Sequence, residues 1–530
     1  MEKLKQYWEK KPLTVILVLG GFFRLIAVLF AKGYGMSDDH FLVIEPSQSW
    51  VDGYDYNNWI PSITKGLTQA SGHSLLYPGL HYLFFLFCKW IGLNDPQMKM
   101  YFVRFIHAVY SLIVIVIGYK ITFKVAGQKS ASQVGLLLAI AFYMPWLSVR
   151  NLVEVVCIPP LILATWYIYK YDSKNYKAGL FAGLMLGIAF SIRFQTALFI
   201  GGFGLSLLLM QRYKTIMYLI VGFVLSVSIV QISTDIIVWK KPFVEFTEYV
   251  RYNMENSETY GVSSWNKYLL LISGILIPPL SLIIIFGFLK SWRKHLLLFL
   301  PAFLFFVFHS AFPNKQERFI LPALPFIIIC GIIGWNELLE ATDKRGLYKL
   351  TRIAWIVFFV LNTIPLIVFS ASYSKRSRVE SMCYLHAKND TQTICVEESI
   401  HDGVTLPPLF YLGKWGHVYD LTSVRTMDTL LCEMKGTTLK KSLPQYVLFN
   451  QEDDLEKRIT AFKKYFPHIT FETEIEPGMM DMLLYKLNPH NANFTIYIYK
   501  INYGKEEWES INKAPCTEVE MRKTIAPNTK

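Results

Sequence analysis

Two adjacent carboxylates, Asp38 and Asp39, follow the first hydrophobic segment of the chain. Neighbouring carboxylates disfavour each other's charged form, because ionising the second places two like charges side by side. One of the pair could therefore accept the proton of a bound hydroxyl and act as a general base. The same residues also suit an ordinary polar loop, so the pair alone leaves both interpretations open.

A second group of candidate residues carries positive charge. Lys315 and Arg318 lie in the turn 314–318, and Arg193 ends an apolar run. Lysine offers a point charge and arginine a planar fork that matches phosphate oxygens, and a helix starting at Phe319 would add its positive N-terminal end. These residues predict a phosphate-binding site, with side chains that snorkel from helix ends as the alternative.

The composition indicates a membrane protein. Of the 530 residues, 53% are hydrophobic and only 18% are charged, which is too apolar for a soluble protein of this length. The formal net charge of +13 is typical of cytoplasmic loops rich in lysine and arginine that contact anionic lipid headgroups. No run of clustered basic and aromatic residues indicates nucleic-acid binding.

The hydrophobic segments set the topology, and the segment 75–92 decides it. Hydrophobic segments occur at 13–31, 75–92, 99–119, 132–148, 152–170, 176–191, 196–211, 215–239, 268–289, 295–312, 319–335 and 352–372. If 75–92 crosses the bilayer, the basic loops near Lys120, Lys170 and Arg212 fall outside. If it lies on the surface, they fall inside, as the positive-inside rule requires. We therefore predict about eleven spans, an uncleaved first span, the N-terminus inside and the C-terminus outside.

Within this topology, 75–92 belongs to a long external loop of interfacial helices, at about 32–98. The acidic pair, Arg193 and the turn 314–318 then share the outer face. Arg24 lies near the middle of the first span, where an ionisable residue needs a partner inside the protein.

From about residue 373 charged residues become more frequent and long apolar runs stop. Short alternating stretches beginning at Thr393, Tyr446, Ile469 and Phe494 predict strands, and 452–465 reads as an amphipathic helix. We predict two domains, a transmembrane domain at 1–372 and a small extracytoplasmic α/β domain at 373–530. Four cysteines of the second domain could pair in an oxidising compartment, and their spacing fits no metal motif: Cys383, Cys395, Cys432 and Cys516.

In order and spacing, the motifs of residues 15–335 resemble those of polyprenyl-phosphate-sugar-dependent glycosyltransferases of the GT-C fold. The resemblance is closest to glycosyltransferase family 22, the dolichyl-phosphate-mannose mannosyltransferases of the GPI-anchor and N-glycan type. The residues that carry it are Gly21-Phe-Phe-Arg-Leu-Ile-Ala, Ser37-Asp-Asp-His-Phe, Ser74-Leu-Leu-Tyr-Pro, Arg193-Phe-Gln-Thr-Ala and Asn314-Lys-Gln-Glu-Arg-Phe. The family has His-Pro-Asp-Glu at the second motif and His-Lys-Glu-x-Arg-Phe at the last. This chain departs from it at Met36, Ser37, Asp39, Asn314 and Gln316.

The resemblance implies a role for each matching residue. Asp38 would be the catalytic general base on the acceptor hydroxyl, and Asp39 would help to orient the acceptor. Lys315 and Arg318 would hold the phosphate of the donor. Further substrate-binding candidates are Arg193, His73 and Tyr77. Neither a metal nor a cofactor is expected.

The resemblance implies an inverting glycosyltransferase, an enzyme that moves a sugar, mannose in this family, from a polyprenyl-phosphate donor to a lipid- or glycan-linked acceptor. The active site would face the periplasm or a lumen, and the simple basic N-terminus favours a bacterial inner membrane. A polytopic transporter or lipid flippase is the alternative, although the charges cluster at one surface and no halves repeat. A binding protein with a degenerate site is a third possibility.

Overall fold

The computed structural model describes residues 2–171, 175–259, 262–437, 443–488, 491–514 and 516. Contacts between residues divide the chain into two compact units. The first unit consists of Met1–Ala31, Asn57–Leu93 and Met98–Ala371, and the second of Lys32–Tyr56, Asn94–Gln97 and Ser372–Lys530. The predicted domain boundary between residues 372 and 373 stays a prediction.

Most of the described chain is helical, with one small sheet near the C-terminus. The elements up to residue 370 are α1 (Glu2–Lys10), α2 (Pro12–Phe30), α3 (Ser37–Phe41), α4 (Ile44–Val51), α5 (Leu76–Trp90), α6 (Pro96–Ile140), α7 (Tyr143–Leu147), α8 (Val153–Val156), α9 (Ile158–Tyr171), α10 (Tyr176–Ile192), α11 (Ala197–Leu209), α12 (Tyr213–Val227), α13 (Ser233–Trp239), α14 (Val244–Glu255), α15 (Lys267–Ile275), α16 (Leu280–Lys290), α17 (Leu296–Ala311), α18 (Leu324–Thr342) and α19 (Arg345–Ser370). The elements that follow are α20 (Arg376–Lys388), β1 (Ile394–Glu398), α21 (Leu409–Leu412), β2 (Val418–Thr422), α22 (Met427–Thr437), β3 (Tyr446–Asn450), α23 (Leu455–Lys463), β4 (Ile469–Ile475), α24 (Met479–Leu487), β5 (Ile496–Ile501) and α25 (Lys505–Asn512). Short 3-10 stretches occur at Phe194–Thr196 and Glu317–Ala323, and a π-turn joins α12 to α13.

Several helices are long and apolar enough to cross a membrane. Among the described residues six such stretches occur, at Pro12–Phe30, Pro96–Ile140, Val153–Tyr171, Tyr213–Trp239, Glu317–Thr342 and Arg345–Ser370. The stretch Pro96–Ile140 consists of two helices that meet at a kink at Ala126 and Gly127. Four shorter apolar helices lie at Tyr176–Ile192, Phe194–Leu209, Leu280–Lys290 and Leu296–Ala311. The chain is therefore a multi-pass integral membrane protein, as its composition predicts. The count of eleven spans stays a prediction.

The charge within the first span has its partners inside the first unit. Arg24 donates to the hydroxyl of Ser111 at 2.8 Å and to the backbone carbonyls of Ala139 and Leu138 at 3.1 and 3.2 Å. The guanidinium is buried, so these acceptors replace the water it would otherwise bind. Arg24 thereby ties α2 to α6.

Helices α10 and α12 approach each other through glycine. A Cβ atom at Gly183 would lie 2.1 Å from the carbonyl oxygen of Leu219, and one at Gly222 would lie 2.2 Å from the carbonyl oxygen of Leu180. In lipid, helices associate largely through van der Waals packing, which is tightest where side chains are small. Arg193 directly follows α10, so this packing helps to set the position of its side chain.

The second unit contains a five-stranded sheet in the order β2-β1-β3-β5-β4. Strand β1 pairs in parallel with β2 and β3, whereas β5 is antiparallel to β3 and β4. Strands β1 and β3 are buried at every residue, because helices supply apolar side chains from the flanks. The prediction of a small C-terminal α/β region is confirmed. Strand β2 was missed, since its sequence Val-Tyr-Asp-Leu-Thr is short and partly polar.

A disulfide joins Cys432 to Cys516 and so closes the C-terminal helix onto α22. Cys383 and Cys395, the other two candidates of this region, remain thiols. The sequence left the pairing of these four cysteines open.

Replacing Gly183 by alanine is expected to lower the thermal midpoint of the protein in detergent. The new methyl group would have to displace a backbone carbonyl, and overpacking of this kind costs about 1–3 kcal/mol. Gly201 of α11 is the matched control, because nothing lies within 4 Å of its added Cβ. Gly201→Ala should keep or raise the midpoint, since alanine favours a helix by up to about 1 kcal/mol over glycine. Equal losses in the two variants would contradict the close approach.

Candidate active site

The two aspartates of the acidic pair have different surroundings in the second unit. The Asp39 carboxylate is buried and accepts the backbone N–H groups of Gly35 at 2.9 Å and Met36 at 3.2 Å. It therefore caps the short helix α3, whose N-terminal end favours a negative charge. Asp38 is only half-buried. Of the two, Asp39 is bound to its own loop, and Asp38 is the one that remains partly accessible.

His40 follows the acidic pair and is buried inside the second unit. Its ring stacks between Tyr34 and Tyr411, with centroid distances of 4.8 and 5.5 Å and nearly parallel planes. Its Nε2 atom lies 2.9 Å from Oε1 of Glu45. The two oxygens of Glu45 accept the backbone N–H of Phe410 at 2.9 and 3.1 Å. The loop that carries the acidic pair is thus packed against the C-terminal segment of the same unit.

Further contacts tie the start of this loop to the residues that follow α19. Ser374 donates its backbone N–H to the carbonyl of Lys32 at 3.1 Å. Gly33 has a φ of +70°, and a Cβ there would lie 1.9 Å from the Ser374 carbonyl oxygen, so only glycine fits. Next to this contact, burial lowers the pKa of Lys375 to about 8, and the neighbouring Arg378 charge acts in the same direction.

In the first unit, two of the predicted phosphate ligands meet at one buried carboxylate. Arg193 forms an ion pair with Oε1 of Glu154, and the Nε atom of Arg318 lies 3.6 Å from the same oxygen. All three side chains are at least nine-tenths buried. Both guanidinium groups also lie over the ring of Phe319, at 5.3 and 5.4 Å from its centroid. The cluster holds two positive charges and one negative charge.

The side chains of Glu154, Arg193 and Arg318 lie in short segments between the longer helices. Glu154 lies in the four-residue helix α8, Arg193 is in extended conformation directly after α10, and Arg318 is in the 3-10 stretch Glu317–Ala323. Gln316 orients Arg318, because its Oε1 atom accepts from Nε at 2.9 Å and from Nη2 at 2.6 Å. Gln316 is a position where this chain departs from the family motif, and the amide orients the arginine without adding a negative charge.

Lys315 has another arrangement. Its ammonium group is buried and donates to the carbonyls of Ser263 at 2.8 Å and Phe312 at 2.6 Å. Burial lowers the pKa of Lys315, and the nearby charge of Lys267 acts in the same direction. Two of its three N–H groups therefore bind backbone carbonyls, and these bonds stabilise the turn that carries Arg318.

The remaining candidates, His73 and Tyr77, have partners elsewhere in the first unit. His73 is exposed and stacks on Trp59 at 5.2 Å. The hydroxyl of Tyr77 lies 2.5 Å from Nε2 of His107. The structure thus brings Arg193 and Arg318 together, and the roles of all seven predicted site residues stay predictions.

Glu154 is the residue that sequence reasoning did not place. The structure pairs this carboxylate with Arg193 and Arg318. The available signal was a lone carboxylate at the start of an apolar helix, which calls for a buried partner. Among the described residues, no group of three or more His, Cys, Asp or Glu side chains could hold a metal ion.

A largely apolar cavity adjoins the segments that carry the cluster. It is partly open to the outside, and its walls include Val155 and Val156 after Glu154, Leu321 and Leu324 after Arg318, and also Arg24 and Arg150.

Comparisons with known proteins agree with these features. A model of the Alg9-like mannosyltransferase family matches residues 14–411. The Dol-P-Man:Man(7)GlcNAc(2)-PP-Dol alpha-1,6-mannosyltransferase of Arabidopsis thaliana is 26% identical over 218 residues, which cover 39% of this chain and 43% of that protein. GPI mannosyltransferase 3 of Kluyveromyces lactis is 24% identical over 368 residues, which cover 64% of this chain and 55% of that protein. The chain thus spans about half the length of these relatives. Neither relative is described as a transporter or flippase.

Among solved structures, the chain resembles ArnT from Cupriavidus metallidurans bound to undecaprenyl phosphate. The TM-score is 0.57, and the match covers 92% of this chain and 97% of that chain at 11% sequence identity. At this identity the similarity establishes the fold alone. It confirms the predicted GT-C-type architecture in outline.

Replacing Glu154 by glutamine is expected to lower the thermal midpoint strongly. Two buried guanidinium groups would lose their carboxylate, and breaking a buried ion pair from one side costs about 3–5 kcal/mol. Glu317→Gln is the matched control, because Glu317 is 56% exposed and pairs with Lys267 at 2.9 Å. An exposed pair contributes at most about 1 kcal/mol. If both variants unfold at the same temperature, Glu154 does not balance the two arginines.

We predict that the stability of the protein depends on pH through Glu245, which contacts the segment that carries His73. Its buried carboxylate accepts from Ser71 Oγ and the Gly72 N–H at 3.0 Å and from Trp239 Nε1 at 2.8 Å. Burial raises the pKa of Glu245 from 4.5 to about 7. The folded state therefore binds more protons than the unfolded state between these values, and stability falls as the pH rises from about 4.5 to 7.

The measurement is the thermal midpoint across that pH range, for the wild type and for Glu245→Gln, which should flatten the slope. The exposed Glu255, which pairs with Arg251, provides the control as Glu255→Gln and should leave the slope unchanged. An unaltered slope in Glu245→Gln would rule out Glu245 as its source.

Proposed function

The chain belongs to the Alg9-like mannosyltransferase family, and from this premise we propose that it is an inverting glycosyltransferase. It moves mannose from a polyprenyl-phosphate donor to a hydroxyl of a lipid- or glycan-linked acceptor. The reaction takes place on the non-cytoplasmic face of the membrane, towards a periplasm or a lumen. Asp38 acts as the general base, and Arg193, Lys315 and Arg318 form the site of the donor phosphate.

In the proposed reaction Asp38 removes the proton of the acceptor hydroxyl as its oxygen attacks the anomeric carbon. A new carbon–oxygen bond forms, and the bond from the anomeric carbon to the phosphate oxygen breaks. Polyprenyl phosphate leaves with the bonding electron pair. Attack from the side opposite to the leaving group inverts the anomeric centre and requires that both substrates be held in line.

The observation that carries the proposal is the cluster around Glu154. Two buried arginines, Arg193 and Arg318, lie against the single buried carboxylate of Glu154. The Nε and Nη2 atoms of Arg193 make no hydrogen bond to any described residue. A phosphate ester offers both the negative charge and the oxygen acceptors that a guanidinium fork binds in pairs. The mostly apolar side chains that line the adjoining cavity support a lipid-linked donor.

The surroundings of the acidic pair support a division of roles. Both oxygens of Asp39 bind backbone N–H groups, so we assign Asp39 to holding the loop in place. Asp38 is the more exposed carboxylate and is assigned the proton transfer. The disulfide between Cys432 and Cys516 supports an oxidising compartment for the C-terminal region, in line with the predicted outer location.

The test uses the full-length protein in proteoliposomes with labelled polyprenyl-phosphate mannose and a lipid-linked mannosyl acceptor. Asp38→Asn should lower kcat by about 10²–10⁴, the range for a general base, with little change in the KM for the donor. Asp428→Asn, at an exposed position of α22, is the control and should keep full activity. Full activity of Asp38→Asn would remove Asp38 as the base.

A second variant tests the proposed phosphate site in the same assay. Arg318→Gln should raise the KM for the donor by about tenfold or more, because a charge-assisted hydrogen bond to phosphate is lost. Arg251→Gln, at an exposed position of α14, serves as control. If Arg318→Gln leaves the donor KM unchanged, the cluster around Glu154 is not the phosphate site.

A further inference from the structure

Helix α24 of the second unit presents an apolar face to its surroundings. Met479 and Leu487 at its two ends are 71% and 74% exposed. Met482, Leu483 and Leu484 between them are also exposed. In a soluble domain such a run would be an unusual surface, because a contiguous apolar patch marks a place where the protein contacts something other than water.

The polar side of α24 is bound inside the unit. Asp481 is buried, and its Oδ2 atom accepts the backbone N–H of Arg376 at 3.0 Å. Its backbone carbonyl accepts from Nδ2 of Asn493 at 3.3 Å. Gly478, which precedes α24, approaches Tyr373 so closely that a Cβ would lie 2.9 Å from the Tyr373 carbonyl oxygen. These contacts orient α24 with its apolar face outward.

The residues that hold α24 lie immediately after a membrane-spanning helix. Helix α19 ends at Ser370, and Tyr373 follows three positions later. Three residues of extended chain reach about 10 Å at most. The N-terminal end of α24 is therefore tethered close to the point where the chain leaves the bilayer, which is the depth of the lipid headgroups.

The charges next to this face suit a lipid surface. Arg376 and Lys486 are exposed, and basic side chains beside an apolar helix face bind anionic headgroups while the apolar residues enter the acyl boundary. Helix α23 of the same unit differs, because it exposes charged residues such as Lys457. The apolar exposure thus belongs to the helix that is tethered near the membrane.

We propose that α24 is an interfacial helix that lies on the outer surface of the bilayer and inserts the side chains of Met479, Leu483 and Leu487 into it. It provides a second attachment of the C-terminal segment to the membrane, in addition to α19. The proposal concerns lipid contact and is independent of the proposed reaction.

The test places a photoactivatable benzophenone amino acid at Leu487 or Leu483 in the full-length protein. The protein is reconstituted in nanodiscs of phosphatidylethanolamine and phosphatidylglycerol, irradiated, and analysed by mass spectrometry for lipid adducts. Lys457, whose side chain is 83% exposed on α23, is the matched control position. Lipid adducts at Leu487 and Leu483 should exceed those at Lys457 by about tenfold.

A second variant separates lipid contact from accidental proximity. Leu483→Glu changes an exposed position, so its thermal midpoint should match that of the wild type, and it should reduce the lipid adducts at Leu487 by at least threefold. Adducts at Leu487 equal to those at Lys457 would overturn the proposal. Cross-links at Leu487 to a second protein chain in place of lipid would also overturn it.

Discussion

A charge among apolar helices must find its counter-charge within the protein, since lipid provides neither water nor free ions. Glu154 meets this requirement for both Arg193 and Arg318. The three residues come from short segments that interrupt or follow helices, so the pairing determines how those segments lie. In the proposed reaction the same two arginines bind the phosphate of the donor. The arrangement of these segments in the first unit therefore depends on one carboxylate.

In the second unit, tertiary contacts hold the short loop that carries the acidic pair. The acidic pair lies in a five-residue helix, too short to be stable by itself in water. Stacking of His40 between two tyrosine rings and the bonds of Glu45 to the Phe410 backbone supply the missing rigidity. The sheet and its helices belong to the same unit and support the segment that contains Phe410 and Tyr411. The C-terminal segment thus helps to hold the acidic loop in place.

The sequence predicted well what depends on local pattern. The apolar segments coincide with helices, and the alternating stretches at 446–449 and 469–475 coincide with strands. Both predictions rest on hydrophobic periodicity, which depends only on residues close together in the chain. It did not reveal that Glu154 pairs with residues far along the chain, or that Asp39 caps its own helix. Such facts depend on how the helices pack. The motif order pointed to Arg193 and Arg318, whereas the carboxylate between them had no motif to mark it.

The joining of residues 32–56 with the C-terminal segment has a consequence for synthesis. Glu45 and its partner Phe410 are 365 residues apart, so they leave the ribosome at different times. At about 5–20 residues per second the interval is roughly 20–70 seconds. During that interval the acidic loop has emerged without the segment that shapes it. The acidic loop is therefore translated early but completed only after Phe410 has been made, and a prematurely terminated chain would carry the aspartates in an unformed loop.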